Sequence, residues 1–247
     1  MHISASAVGD SLPALDGAPL APGASRAGYA AALPDDSPEA LQAAEAALHA
    51  SPGDPEREAL LGTILFARRD FRGAAEHLQT ALTARPDETG WQLTAGLAAV
   101  GTSDTSKARA LLDRVVGGGG DSAFALAVLA QFDANGGNYP LAAQEATRSI
   151  VGLRPTLERP FPGALEGAVA TLAQRAPPAL AAPVFERAMA ARPAWQTGYW
   201  GSAVVGARAG GPACRPAERS AVELERFGWT AEEILPLVQR CLAKDAA

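Results

Sequence analysis

Apolar and small residues recur along this chain at offsets of 0, 4, 7 and 8, the spacing of one face of an α-helix. The pattern appears in Ala40, Ala44, Ala47 and Leu48, and again in Ala74, Leu78, Ala81 and Leu82. It returns in Ala108, Leu112, Val115 and Val116, and in Ala142, Ala146, Ser149 and Ile150. Successive copies lie 34 residues apart. A second column runs through Gly28, Gly62, Gly96 and Ala130, each 12 residues before the small residue that opens the face. A glycine inside a helix costs about 1 kcal/mol relative to Ala. Its periodic return predicts a second helix in each copy that crosses the first closely. Between the two helices stand Asp70-Phe71, Asp104-Thr105 and Asn138-Tyr139, which read as polar turns. Pro52 and Pro86 close the copies, because proline cannot continue a helix. Ser37-Pro38 and Asp54-Pro55 read as an N-cap followed by a first-turn proline. Few stretches alternate in the manner of a strand, so no strand is expected.

A period of this length is the signature of a repeat architecture. The segment Ala59-Leu60-Leu61-Gly62-Thr63-Ile64-Leu65-Phe66-Ala67-Arg68-Arg69-Asp70-Phe71-Arg72-Gly73-Ala74, with Leu78, Ala81 and Pro86, carries the most complete copy. These residues resemble the tetratricopeptide repeat (TPR) family, of bacterial type. In that family small residues sit at the eighth and twentieth positions of a 34-residue helix–turn–helix, with proline near the thirty-second. The resemblance covers about 21–209 and is strongest over 55–88. A five-residue insertion near Arg154–Ala164 breaks it, after which Ala181, Phe185, Ala188, Met189 and Pro193 restore the second-helix pattern. The resemblance implies an all-α fold, a right-handed α-solenoid. Repeats are expected at about 21–54, 55–88, 89–122, 123–156 and 162–195, with a partial repeat at 196–209.

The flanks read differently. Residues 1–20 are rich in Ala, Pro, Gly and Ser and read as a flexible tail. Residues 210–247 are expected to form a capping helix pair, since terminal repeats need an atypical, solubilising end. One helix is predicted at about Pro216–Arg226. The other starts at Thr230, which forms a capping box with Glu233 and leads into the stripe Ile234, Leu235, Val238 and Leu242.

Composition narrows the function. The net charge of −6 gathers at the start, where residues 1–54 hold seven acids and one base. No basic stripe collects phosphates, so nucleic acid is not an expected partner. No apolar run reaches the ~20 residues of a membrane helix. No signal peptide is visible, and a cytoplasmic location is expected. Cys214 and Cys241, 27 apart, show no metal-ligand spacing and are expected to be free thiols. Gly117–Gly120 lacks the Lys-Ser/Thr of a phosphate loop and reads as a linker. His2, His49 and His77 share no ligand spacing. Glu232-Glu233 fits dipole compensation at a helix start. No metal, cofactor or catalytic constellation is expected, and neither a small-molecule ligand nor an enzyme activity.

The family resemblance also implies a binding surface. In TPR proteins, positions 2, 5, 9, 12 and 13 of each repeat face a concave groove. Carried over, these are Glu56, Ala59, Thr63, Phe66 and Ala67, then Gly90, Leu93, Leu97, Val100 and Gly101. The fourth repeat contributes Phe124, Ala127, Gln131, Ala134 and Asn135. Tyr29 and Leu33 come from the first, Glu166 and Gln174 from the fifth, and Tyr199 and Arg208 from the last helix. A protein or peptide segment is the implied partner, held by an adaptor or scaffold. Two alternatives stay open: a chaperone for an apolar client segment, and a recruiting subunit of a separately encoded enzyme. The same aromatic positions could instead be core, since one step of register turns them inward.

Overall fold

The computed structural model describes residues 38–118, 122–152, 163–228 and 234–245. The expected tail, the first helix of the first repeat with Tyr29 and Leu33, most of the insertion and the Thr230–Glu233 capping box lie outside those residues. Among the described residues there are twelve α-helices and no strand. The fold is an all-α solenoid of tetratricopeptide-like helix–turn–helix repeats. In chain order the helices are α1 (Pro38–Ala50), α2 (Pro55–Ala67), α3 (Phe71–Ala84), α4 (Thr89–Gly101), α5 (Thr105–Gly117) and α6 (Ser122–Asn135). They continue as α7 (Tyr139–Gly152), α8 (Gly163–Arg175), α9 (Pro178–Ala191), α10 (Gln196–Ala209), α11 (Cys214–Arg226) and α12 (Leu235–Asp245). The chain divides into two compact halves, His2–Ala125 and Leu126–Ala247.

Within the N-terminal half, the repeat is visible atom by atom. A Cβ added at Gly62 would stand 2.8 Å from Leu78 Cγ, and one added at Gly96 would stand 3.0 Å from Leu112 Cδ2. The two contacts are the same contact moved by 34 residues. The small residues opposite, Ala74 and Ala108, are fully buried, as are Leu78 and Leu112. Absent side chains at one position and a leucine at the other let the helices of a pair approach closely.

The turns repeat as strictly. Arg69 and Ser103 adopt left-handed φ values of 67° and 63°, and Gly137, again 34 further on, adopts 80°. The following amide then bonds back across the helix end. Asp70 N donates to Leu65 O at 2.9 Å, Asp104 N to Ala99 O at 2.9 Å, and Asn138 N to Asp133 O at 2.8 Å. Asp70 and Asp104 at once cap the next helix, accepting from Gly73 N at 2.9 Å and Lys107 N at 3.0 Å. Asp54 caps α2 ahead of Pro55, accepting from Glu56 N at 3.0 Å. Desolvation pushes the Asp54 carboxyl up, but the hydrogen bonds at Glu56 and Arg57 and the Arg57 charge outweigh it and hold the group below its ordinary range.

The two helices of a repeat differ in kind. In α3 and α5 a single stripe is buried: Ala74, Leu78, Ala81 and Leu82 in one, Ala108, Leu111, Leu112 and Val115 in the other. In α4 every residue from Gln92 to Ala99 is buried, and in α6 every residue from Ala123 to Gln131. A helix apolar all round belongs to the interior, an amphipathic one to the surface.

In the C-terminal half, α7 packs on α8 and α9, and α10 packs on α8, α9 and α11. Phe185 of α9 takes the place that Leu78 and Leu112 hold earlier, with the insertion counted. Its ring lies directly on the backbone of Gly201 in α10. The cap begins earlier than the sequence pattern indicates, because a 3₁₀ turn at Gly211–Ala213 runs straight into α11 at Cys214. α11 and α12 close on α10 through Ala203, Ala217, Ala221, Leu224, Ile234 and Val238. One expectation is overturned here: Cys214 and Cys241 are not free thiols but a disulfide joining α11 to α12, with Cα atoms 5.6 Å apart. Antiparallel docking of the two helices brings together residues that their spacing alone leaves unassigned. A bond closing a loop of this size contributes about 3–4 kcal/mol in the chain-entropy account.

Two substitutions test the repeat geometry. Gly62→Leu places a branched side chain where Leu78 already stands, and is expected to cost on the order of 1–3 kcal/mol or more by overpacking. Chemical denaturation checks it; an unchanged midpoint would show that α2 and α3 do not cross there. Ser103→Gly relieves a left-handed backbone that costs an L residue about 1–2 kcal/mol, less the extra freedom of unfolded glycine. A gain of up to about 1 kcal/mol is expected in the same measurement, and a loss would reject the strain assigned to this turn.

Candidate partner-binding surface

The residues that the TPR resemblance places in a groove do not share one environment. In the N-terminal half they are mostly covered. Phe66 is 2% exposed, Leu97 1%, Leu93 5%, Phe124 7% and Thr63 9%. The Phe66 ring packs on Phe71 with centroids 5.6 Å apart, and Phe71 in turn lies on the backbone of Gly101. The Thr63 hydroxyl is occupied in its own helix, donating to Ala59 O at 2.8 Å. These side chains offer a partner almost no surface. Glu56, half-buried, pairs with Arg85 at 2.6 Å, and Arg85 lies 6.0 Å from the centre of the Trp91 ring. That cluster staples α2, α3 and α4 together; nothing in the sequence pattern singles it out, because its members come from three different helices.

In the C-terminal half some of the family positions reach the surface, while Ala127, Gln131 and Ala134 are buried. Asn135, Glu166, Gln174 and Arg208 are exposed, and Tyr199 is half-buried. Structural contacts tie them into one strip. The Gln131 amide is buried and its carbonyl sits against Gly167 of α8, where no side chain would fit. Its Nε2 donates to Asn135 Oδ1 at 2.9 Å, which orients the exposed Asn135. Glu166, Ala170 and Gln174 follow at four-residue steps on α8, one helical face. Arg208 of α10 donates through Nη1 to Ala173 O at 2.6 Å, beside Gln174. At the other end, partial burial pushes the Glu166 carboxyl up, against a hydrogen bond from Trp195 that favours its charged form. Tyr199 stacks on Phe227 of the cap, centroids 5.6 Å apart.

The strip carries amides, a guanidinium, a carboxylate and one aromatic ring. Such groups bind and orient; none is placed as a nucleophile beside a base. Among the described residues no three His, Cys, Asp or Glu side chains gather as a metal site. An open cleft of about 610 Å³ lies elsewhere, between α3, α4 and α5, lined by Arg72, Ala75, Glu76, Gln79, Ala99, Thr102, Asp104 and Lys107. Sequence reasoning missed it because its lining comes from three different helices and a turn.

Helix pairs that each bury a crossing glycine or alanine, joined by identical turns at 34-residue steps, define an all-α repeat protein of tetratricopeptide-like fold. Among solved structures, a crystal structure of a tetratricopeptide repeat protein from Parabacteroides merdae is similar to this chain. It matches over 82% of this chain and 91% of that one, with 17% identity and a TM-score of 0.49. No family model matches the chain, and no curated protein matches it.

Burial decides what the aromatic positions do. Phe66→Ala empties a core site and is expected to cost about 3–5 kcal/mol of stability. Thermal or chemical denaturation checks it. Stability within a few tenths of wild type would return Phe66 to the surface.

Proposed function

We propose that this chain is an adaptor or scaffold that holds a segment of a partner protein, and that it does so along the α8–α10 face of its C-terminal half. The observation that carries the reading is exposure: no family contact position described in the N-terminal half is fully exposed, whereas Asn135, Glu166, Gln174 and Arg208 are, with Tyr199 half-buried beside them. A row of side-chain amides beside a half-exposed ring suits an extended segment, whose backbone has unpaired N–H and C=O groups and whose side chains include apolar ones. Arg208 and Glu166 mark the two ends with opposite charge and so favour one direction of the bound segment. The repeat fold supports binding in general: stacked pairs contact chiefly their neighbours and leave long faces to solvent. No helix among the described residues is long and apolar enough to cross a membrane.

The test uses a photo-crosslinking residue at position 174, or at position 79 on α3, in cells that make the protein. The 174 variant is expected to capture a defined protein and the 79 variant is not. With that protein purified, the double variant Gln174→Ala, Tyr199→Ala is expected to bind at least about tenfold more weakly per folded molecule, about 1.4 kcal/mol. Equal capture from both positions, or unchanged affinity, would move the binding face off α8 and α10.

A further inference from the structure

The chain has two cysteines, and both are used in one bond between α11 and the last helix. Both are also buried: Cys214 is 0% exposed and Cys241 5%. Cys241 Sγ stands 3.9 Å from the carbonyl oxygen of Gly206 on α10, so the bond lies under three helices at once. The same three elements are joined by an apolar cluster of Ala203, Ala217, Ala221, Leu224, Ile234 and Val238.

Burial separates the two uses of a disulfide. A regulatory bond must be reached by an attacking thiolate in line with the S–S axis, so it is exposed and surrounded by groups that favour a thiolate. Here both cysteines are covered. What remains is a structural bond. α12 has 11 residues, too short to persist as an isolated helix, and it is held by a few apolar side chains and this bond. Structural disulfides of this kind form and persist in oxidising compartments and are rare where thiol pools keep cysteines reduced.

We infer that this chain is oxidised where it works, in an extracytoplasmic oxidising compartment, and that the protein it binds is met there. This differs from the cytoplasmic location expected from the sequence, which rested on no visible signal peptide and no apolar run of membrane length. The chemistry balances with a disulfide-bearing oxidant. The Cys241 thiolate attacks the oxidant's disulfide and releases one of its sulfurs as a thiol. The Cys214 thiolate then attacks Cys241 Sγ and releases the second. Two cysteine thiols become one disulfide, the oxidant's disulfide becomes a dithiol, and two electrons pass to it. The inference does not depend on which face binds the partner.

Two measurements test it. Cells making the protein are quenched in acid, fractionated and alkylated without reductant, and the chain is weighed. The expected mass carries no alkyl group, in the extracytoplasmic fraction. Two alkyl groups, or an oxidised chain in the cytosolic fraction, would overturn the inference. The purified oxidised chain is then incubated with dithiothreitol and alkylated. Native chain is expected to take up no label over hours, and to take up two labels once denaturant opens the cap. Rapid labelling of a chain that stays folded would make the bond a switch, and the structural reading would fail.

Discussion

Everything in this fold depends on how closely the two helices of a repeat can approach. Packed helices stand about 8–10 Å apart, and the side chains at the crossing decide where in that range they settle. Here one partner presents no side chain at all. Gly62 lies over Leu78, and Gly96 lies over Leu112, with fully buried Ala74 and Ala108 on the opposite helix. The short distance leaves no room for a polar side chain between the helices, so the buried stripe must be apolar and small. It also sets the length of the connection. A tight crossing has to be reached through a three-residue turn, which puts Arg69, Ser103 and Gly137 in the left-handed region. Glycine would be the cheapest residue at all three places. The chain uses it at one and holds Arg69 and Ser103 there by the flanking hydrogen bonds.

From the same constraint comes the difference between the two helix rows. Once α3 and α5 give one stripe to their partners, their other faces are free and carry Arg72, Glu76, Lys107 and other charged residues. α4 and α6 have no such free face over Gln92–Ala99 and Ala123–Gln131. Two of the polar groups of α4 are taken up locally: Gln92 Nε2 donates to Pro86 O at 2.6 Å, and the Thr94 hydroxyl to Gly90 O at 3.0 Å. Exposed polar surface is therefore unevenly distributed. In the N-terminal half Phe66, Leu93, Leu97 and Phe124 belong to the interior, and in the C-terminal half Asn135, Glu166, Gln174 and Arg208 stand in solvent.

That division also explains what could be read from the sequence. Helix type, the crossing glycines, the cap at Asp54 and the polar turns at Asp70 and Asp104 were legible because each is local or strictly periodic. The position of a face is legible only where polar residues mark its far side. α3 and α5 have such a mark; α4, running Gly90-Trp91-Gln92-Leu93-Thr94-Ala95-Gly96-Leu97, has none. So periodicity could say that Leu93 and Leu97 lie on a helix but not whether they face a groove or the core. Phe66 is harder still, since its burial depends on Phe71 from the next helix and on Gly101, thirty residues beyond that one. The disulfide was illegible for a related reason. A spacing of 27 says nothing about pairing until α11 and α12 are known to fold back on each other. The strip at Asn135, Glu166 and Gln174 was named by the family resemblance, but its exposure was not, because exposure depends on what the neighbouring helices cover.

The cap and the exposed strip are joined through one helix. α10 packs on α8 along the side that carries the strip, and on α11 and α12 along the side that carries Ala203. Tyr199 belongs to both environments: it is a contact position of the strip and it stacks on Phe227 at the end of α11. The guanidinium of Arg208 ties the far end of α10 to α8 at Ala173 O. An α10 held at both ends, with its other side closed by a cross-linked helix pair, has little freedom to shift. A binding strip composed of long flexible side chains gains most from such a support, because the ordering cost on association falls when the backbone beneath is already fixed. The buried disulfide acts on the same helix from its other side: it ties α11 to α12, and both pack on α10.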